Sequence, residues 1–154
     1  MALRNVALWG LAWAVALVFT TAASAEETTY RKHIKPLFDA KCARCHGGDC
    51  APELGDFKEA QAKWMAQGKA MRMDTYSHLV FYTAWPDTGA LMRRLDDGKG
   101  AKDAKPGNMY LHLGKTEEER QQALKVFKDW VGNWTLKRWK DVTREELEGI
   151  KVTY

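Results

Sequence analysis

The chain has 154 residues, 45% of them hydrophobic and 29% charged, with 24 Lys and Arg against 20 Asp and Glu for a formal net charge of +4. That length suits one compact domain rather than two. So slight a basic excess excludes a nucleic-acid partner as the meaning of the charge, and no repeat or low-complexity tract breaks the chain up.

The N-terminal stretch carries one early cation, Arg4, then fourteen mostly apolar residues from Val6 to Phe19, then the small-residue run Thr20 to Ala25. This is the pattern of a secretory signal peptide. The apolar run falls short of the roughly 20 residues that span a bilayer, and Ala23-Ser24-Ala25 has the form of a cleavage site. The expectation is an exported, periplasmic protein beginning at Glu26. An uncleaved leader would be its only attachment to a membrane and would still leave the rest outside the cytoplasm. Losing the 25-residue leader leaves 129 of the 154 residues and removes Arg4, which lowers the net charge from +4 to +3. The domain is expected over 26–134, followed by a C-terminal extension, 135–154.

Tyr30, Ile34, Leu37 and Phe38 recur with the period of a helix, and this helix runs directly into the cysteines. Pro36 is tolerated in a first turn but delays or kinks the start. Cys42-Ala43-Arg44-Cys45-His46 then spells C-x-x-C-H, the haem attachment pattern, and Gly47-Gly48 stop the helix. The spacing has a mechanical basis. Two thiols three residues apart reach the two vinyl groups along one porphyrin edge and form thioethers, and the next residue, His46, is held beneath the iron as proximal ligand. With three Cys and four His in the chain, chance yields this pentapeptide about one or two times in a thousand, so it outweighs its rivals. Those rivals are a redox-active C-x-x-C, which lacks its βαβ context, and a zinc site built from Cys42, Cys45, Cys50 and a histidine, which lacks a second closely spaced ligand pair. Cys50 is the odd thiol: buried and inert, joined to another molecule, or reactive.

After the loop Ala51-Pro52-Glu53-Leu54, helices are expected from Phe57 to Gln67, ended by Gly68, and from after Asp74 to about Ala84, where Trp85-Pro86 breaks the chain. Another runs from Thr88 to Leu95, with Asp87 or Thr88 as N-cap and Gly98 as stop. Residues 96–107 have no hydrophobic period and form a loop. Thr116-Glu117-Glu118-Glu119 makes a capping box for the strongest helix, on which Ala123, Phe127, Trp130, Val131 and Trp134 share one face. A second box, Thr143-Arg144-Glu145-Glu146, opens a short helix to about Gly149, and Trp139 is expected to anchor the tail. No segment alternates long enough for a sheet, so the fold is expected to be all-α, four to five helices around one covalently bound haem.

The iron's second axial position has candidates in Met65, Met71, Met73, Met92 and Met109 and in His33, His78 and His112. The methionines at 65, 71, 73 and 92 are expected in helices as core. His33 and His78 are expected to be ordinary surface or hydrogen-bonded side chains.

The arrangement resembles the class I c-type cytochromes. Gly89-Ala90-Leu91-Met92-Arg93-Arg94-Leu95 with Gly98-Lys99-Gly100 resembles that family's short helix and glycine turn. Pro106-Gly107-Asn108-Met109 resembles its ligand loop, and Thr116 to Val131 its final helix. The resemblance implies Met109 as distal ligand, with His112, three residues on, as the alternative. It also implies that the Pro52 carbonyl accepts the axial histidine's ring N–H. An insertion at Ala101 to Pro106 departs from the pattern.

With both axial positions filled, what remains is one-electron exchange with redox proteins through small, transient interfaces. The alternatives are a haem subunit of a larger oxidoreductase, with the tail and tryptophans as its interface, and an open-site enzyme or sensor, in which His112 would stand beside the iron.

Overall fold

The computed structural model describes residues 26–154; the leader lies outside the described residues. Among the described residues there is no strand, only an isolated antiparallel bridge between Gly132 and Ile150. The domain is all-α, and none of its helices is long and apolar enough to cross a membrane.

The first helix begins as a wide π-type turn, Tyr30–Ile34, capped by Thr29, whose Oγ1 accepts from Lys32 N. Regular α-helix starts at α1, Lys35–Lys41, with Pro36 in its first turn. The delay follows from the proline ring, which has no N–H and crowds the carbonyl four residues back. The chain re-forms as the single turn α2, Ala43–His46. The expected helix over 57–67 is two pieces, α3 Leu54–Glu59 and α4 Gln61–Ala66, broken at Ala60. Helix α5, Tyr76–Thr83, starts on Thr75. Helix α6, Ala90–Leu95, begins after Gly89 with no side-chain cap; Thr88 Oγ1 instead donates back to Ala84 O. A 3₁₀ turn, Tyr110–Leu113, leads to α7, Glu117–Val131.

Helix α7 organises the molecule. Thr116 Oγ1 accepts from Glu119 N as expected, but Glu119 Oε2 takes Lys115 N–H, one residue before the cap. Three glutamates in its first turn complement the helix dipole. Its apolar face carries Leu124, Phe127, Trp130 and Val131 into the core against Ile34 and Phe38 from the N-terminal segment, Leu79 of α5, Met92 of α6 and Leu113 of the 3₁₀ turn. Fully burying a side chain of this size contributes about 1.5–3 kcal/mol, so this face adds substantially to the fold's stability.

The C-terminal extension is part of the same body. Helix α8, Arg144–Glu148, carries the complete Thr143–Glu146 capping box. Beyond it the chain returns across α7: Lys151 N donates to Val131 O, Val152 N to Trp130 O, and Thr153 O accepts from both Tyr30 N and Trp130 Nε1. Tyr30, Tyr76 and Tyr154 form one aromatic cluster with centroids 5.0–5.9 Å apart. The anchor of the tail is therefore Val152-Thr153-Tyr154. Trp139, expected in that role, is 46% exposed, because the 3₁₀ turn that carries it, Trp139–Asp141, buries none of its residues.

Candidate functional site

Helix α1 delivers Cys42 by continuing its hydrogen bonding: Cys42 N donates to Phe38 O. Cys42 O in turn accepts from Cys45 N and His46 N, at 3.1 and 3.0 Å, which folds the pentapeptide into one turn. Gly47 closes the turn by donating to Ala43 O. A Cβ at residue 47 would stand 2.5 Å from that same oxygen, so the stop must be glycine.

Cys42, Cys45 and Cys50 are all free and half-buried. Burial pushes the Cys42 thiol up to about 11, with Cys45 and Asp39 adding to the effect, so at neutral pH it is S–H and not thiolate. A redox-active C-x-x-C needs the opposite shift. Cys50 is turned away from the pair, its S–H among the carbonyls of Ala43, Arg44 and Gly47 at 3.3–3.6 Å. The zinc reading thus loses its third sulfur, and among the described residues no cluster of three His, Cys, Asp or Glu side chains could hold a metal ion.

His46 Nδ1 lies 2.8 Å from Met71 O. A carbonyl only accepts, so Nδ1 bears the proton and Nε2 keeps its lone pair. Burial holds the His46 pKa below its ordinary value; the Met71 carbonyl opposes this and the charge of His112 reinforces it. The donor set is a neutral imidazole with one oriented lone pair, beside two free thiols three residues apart. That set fits a covalently attached haem: Cys42 and Cys45 would hold the porphyrin and His46 Nε2 the iron.

The Met71 carbonyl replaces the one expected from Pro52. Residues 70–74 form an extended strap along the pentapeptide rather than part of a helix. Ala70 N donates to Cys45 O, Met73 N to His46 O and Arg72 N to Pro52 O, and Tyr30 Oη donates to Asp74 O. Pro52 O accepts from Arg72 N–H, and the proton on His46 goes to the Met71 carbonyl of the strap. Met71 and Met73, expected as helical core, are half-buried strap residues packed on the core, and Met65 is 60% exposed on α4. Only Met92 is fully buried core. Sequence did bracket the strap: Gly68, at φ +67°, ends α4, and Thr75 caps α5.

The candidates for the second axial position, Met109 and His112, stand on the segment after α6. Gly107 N donates to Asp96 O and Met109 N to Arg94 O, so the last turn of α6 fixes the loop. A Cβ at residue 107 would lie 2.3 Å from Arg94 O, which makes glycine obligatory there. Met109 is half-buried against the core, whereas His112 is exposed. The turn is backed by Asp96, a buried carboxylate that accepts from Gly98 N and from Trp134 Nε1. His33 accepts Thr29 N–H through Nδ1, and His78 sits near Glu53 and Asp74.

A family model described as PccH cytochrome c matches residues 29–154. Among solved structures, the chain matches the monohaem cytochrome PccH from Geobacter sulfurreducens with 69% sequence identity and a TM-score of 0.77, over 84% of this chain and 100% of that one. No curated protein matches.

Proposed function

The chain belongs to the PccH cytochrome c family, and from that membership we propose an exported carrier that passes one electron at a time between redox proteins, its iron held between His46 and Met109. Family membership carries with it a single, covalently bound haem c and electron transfer as the general activity. When bound, that group supplies one-electron exchange between ferric and ferrous iron. The rest belongs to the polypeptide.

Cys42 and Cys45 would tether the porphyrin by adding their S–H groups across two vinyl double bonds, a reaction that consumes the thiol protons and leaves no free thiolate. The observation that carries the proximal assignment is the His46 Nδ1 bond to Met71 O, which fixes the tautomer and aims Nε2. Met109 is the distal ligand of this proposal, supported by its half-burial and by a loop whose backbone is fixed to α6. A second reading puts His112 there, three residues further along the same loop and exposed. A filled distal site keeps substrate off the iron and leaves electron transfer; an open one would leave room for catalysis or gas binding.

The test is the absorption and magnetic circular dichroism of the ferric protein, compared with Met109→Ala and His112→Ala. The expected result is a methionine-to-iron charge-transfer band in wild type and His112→Ala that vanishes in Met109→Ala, with rapid carbon monoxide binding gained only by the ferrous Met109 variant. A band that survives Met109→Ala overturns the distal assignment.

A further inference from the structure

The strap that meets His46 is held by more than its backbone. Met71 C=O and Arg72 N–H belong to one planar peptide group. The carbonyl accepts from His46 Nδ1 at 2.8 Å, and the N–H donates to Pro52 O at 2.8 Å. Rocking that plane therefore weakens both bonds together. The Arg72 guanidinium continues the same attachment: Nη1 reaches Glu53 Oε1, beside Pro52 in the chain, at 2.9 Å. Nε reaches Asp74 Oδ1 at 2.6 Å, with Nη2 3.4 Å from Oδ2. A two-toothed arginine–carboxylate contact fixes direction as well as distance. Gly48 passes beneath it so closely that a Cβ there would lie 2.6 Å from Asp74 Oδ2 and 3.0 Å from Arg72 Nη2. His78 stands 3.6 Å from both Glu53 and Asp74, too far to compete for the oxygens Arg72 uses.

We propose that Arg72 is a positioning residue for the iron's axial histidine: its fork onto Glu53 and Asp74 holds the Met71–Arg72 peptide in the orientation that accepts the His46 proton. This rests on the reading of His46 as an iron ligand. Exposed ion pairs contribute little stability, and the role assigned here is geometric. A well-directed Nδ1–H···O bond makes the imidazole a stronger donor to the metal and favours ferric iron. Loosening it raises the reduction potential. Deleting a nearby positive charge does the reverse, because it favours the more positive ferric state. The two roles of Arg72 thus predict opposite signs.

The experiment uses the haem-loaded protein with Arg72→Gln and Arg72→Lys, reading the reduction potential and, by NMR, the exchange of the His46 Nδ1 proton. The expected result is a potential above wild type in Arg72→Lys, which keeps the charge and loses the fork, with Arg72→Gln below Arg72→Lys by the effect of the lost charge. Proton exchange should quicken by several-fold to about tenfold, the scale of one weakened hydrogen bond. A lowered potential in Arg72→Gln with none in Arg72→Lys assigns Arg72 a purely electrostatic effect and overturns the proposal, as does unchanged exchange. Should neither variant fold, Glu53→Ala removes one exposed acceptor alone, and faster Nδ1 exchange there supports the clamp while wild-type exchange overturns it. Absence of hyperfine-shifted His46 ring signals in ferric wild type would instead sink the axial reading itself.

Discussion

Glu117, in the first turn of α7, has the most strongly displaced carboxyl among the described residues. Hydrogen bonds from Tyr110 Oη, Gln121 and Arg120 hold its pKa at about 2 against an ordinary 4.5. A carboxyl depressed in the folded state contributes stability that is complete above the unfolded value and disappears as pH falls through the folded one. The relevant window runs from about 4.5 down to about 2. Glu117→Gln should flatten the acid limb of a denaturant-midpoint titration in that window, and an unchanged limb would refute the assignment. Tyr110 follows Met109 directly, so this contact also braces the loop that carries Met109. At this scale the pentapeptide was legible because its chemistry depends on contiguous spacing. Met71 was not, since any residue can offer a carbonyl and only the folded path of the chain chooses one.

Among elements, the C-terminal extension has a larger role than its position suggests. Thr153 O accepts from Tyr30 N and Trp130 Nε1, and Val152 O accepts from Tyr76 Oη. Ending the chain after Lys151 leaves these three donors without protein partners, and each lost hydrogen bond costs about 0.5–1.5 kcal/mol net, or about 1–3 where the donor stays buried. Against a typical domain stability of about 5–15 kcal/mol, the truncation should remove several kcal/mol in urea unfolding. A loss below about 1 kcal/mol, within one hydrogen bond's net value, would show the tail to be peripheral. Helix α7 could be read in advance because Thr116 caps it and its apolar period is long, and α5 and α6 because the Trp85-Pro86 break and the Gly98 stop bracket them. The division of 54–66 into two short helices had no such signal: Phe57 alone is buried there, so little core packing enforces one helix.

For the molecule as a whole, the two ends of the described chain meet: Tyr30 N bonds Thr153 O, and Thr153 Oγ1 donates to Glu27 Oε1. The proposed mature terminus at Glu26 thus falls one residue before a side chain that touches the tail. Mass spectrometry of protein exported by a host that matures c-type cytochromes should give a chain starting at Glu26 and carrying one haem. A mass that retains residues 1–25 would replace the cleaved leader with an anchor. The family match, beginning at residue 29, is indifferent to that outcome.

The amino-acid sequence alone carried the all-α class and a covalently bound haem as cofactor, and it located the helix that carries Phe127 and Trp130. Each of these depends on a local period or a fixed spacing. Tertiary structure decided which carbonyl receives the His46 proton, that Arg72 stands behind it, and that the tail closes over Trp130. The His46–Met71 and Trp130–Thr153 contacts join residues 25 and 23 positions apart through backbone carbonyls, and a backbone group has the same chemistry at every position until the fold gives it a neighbour.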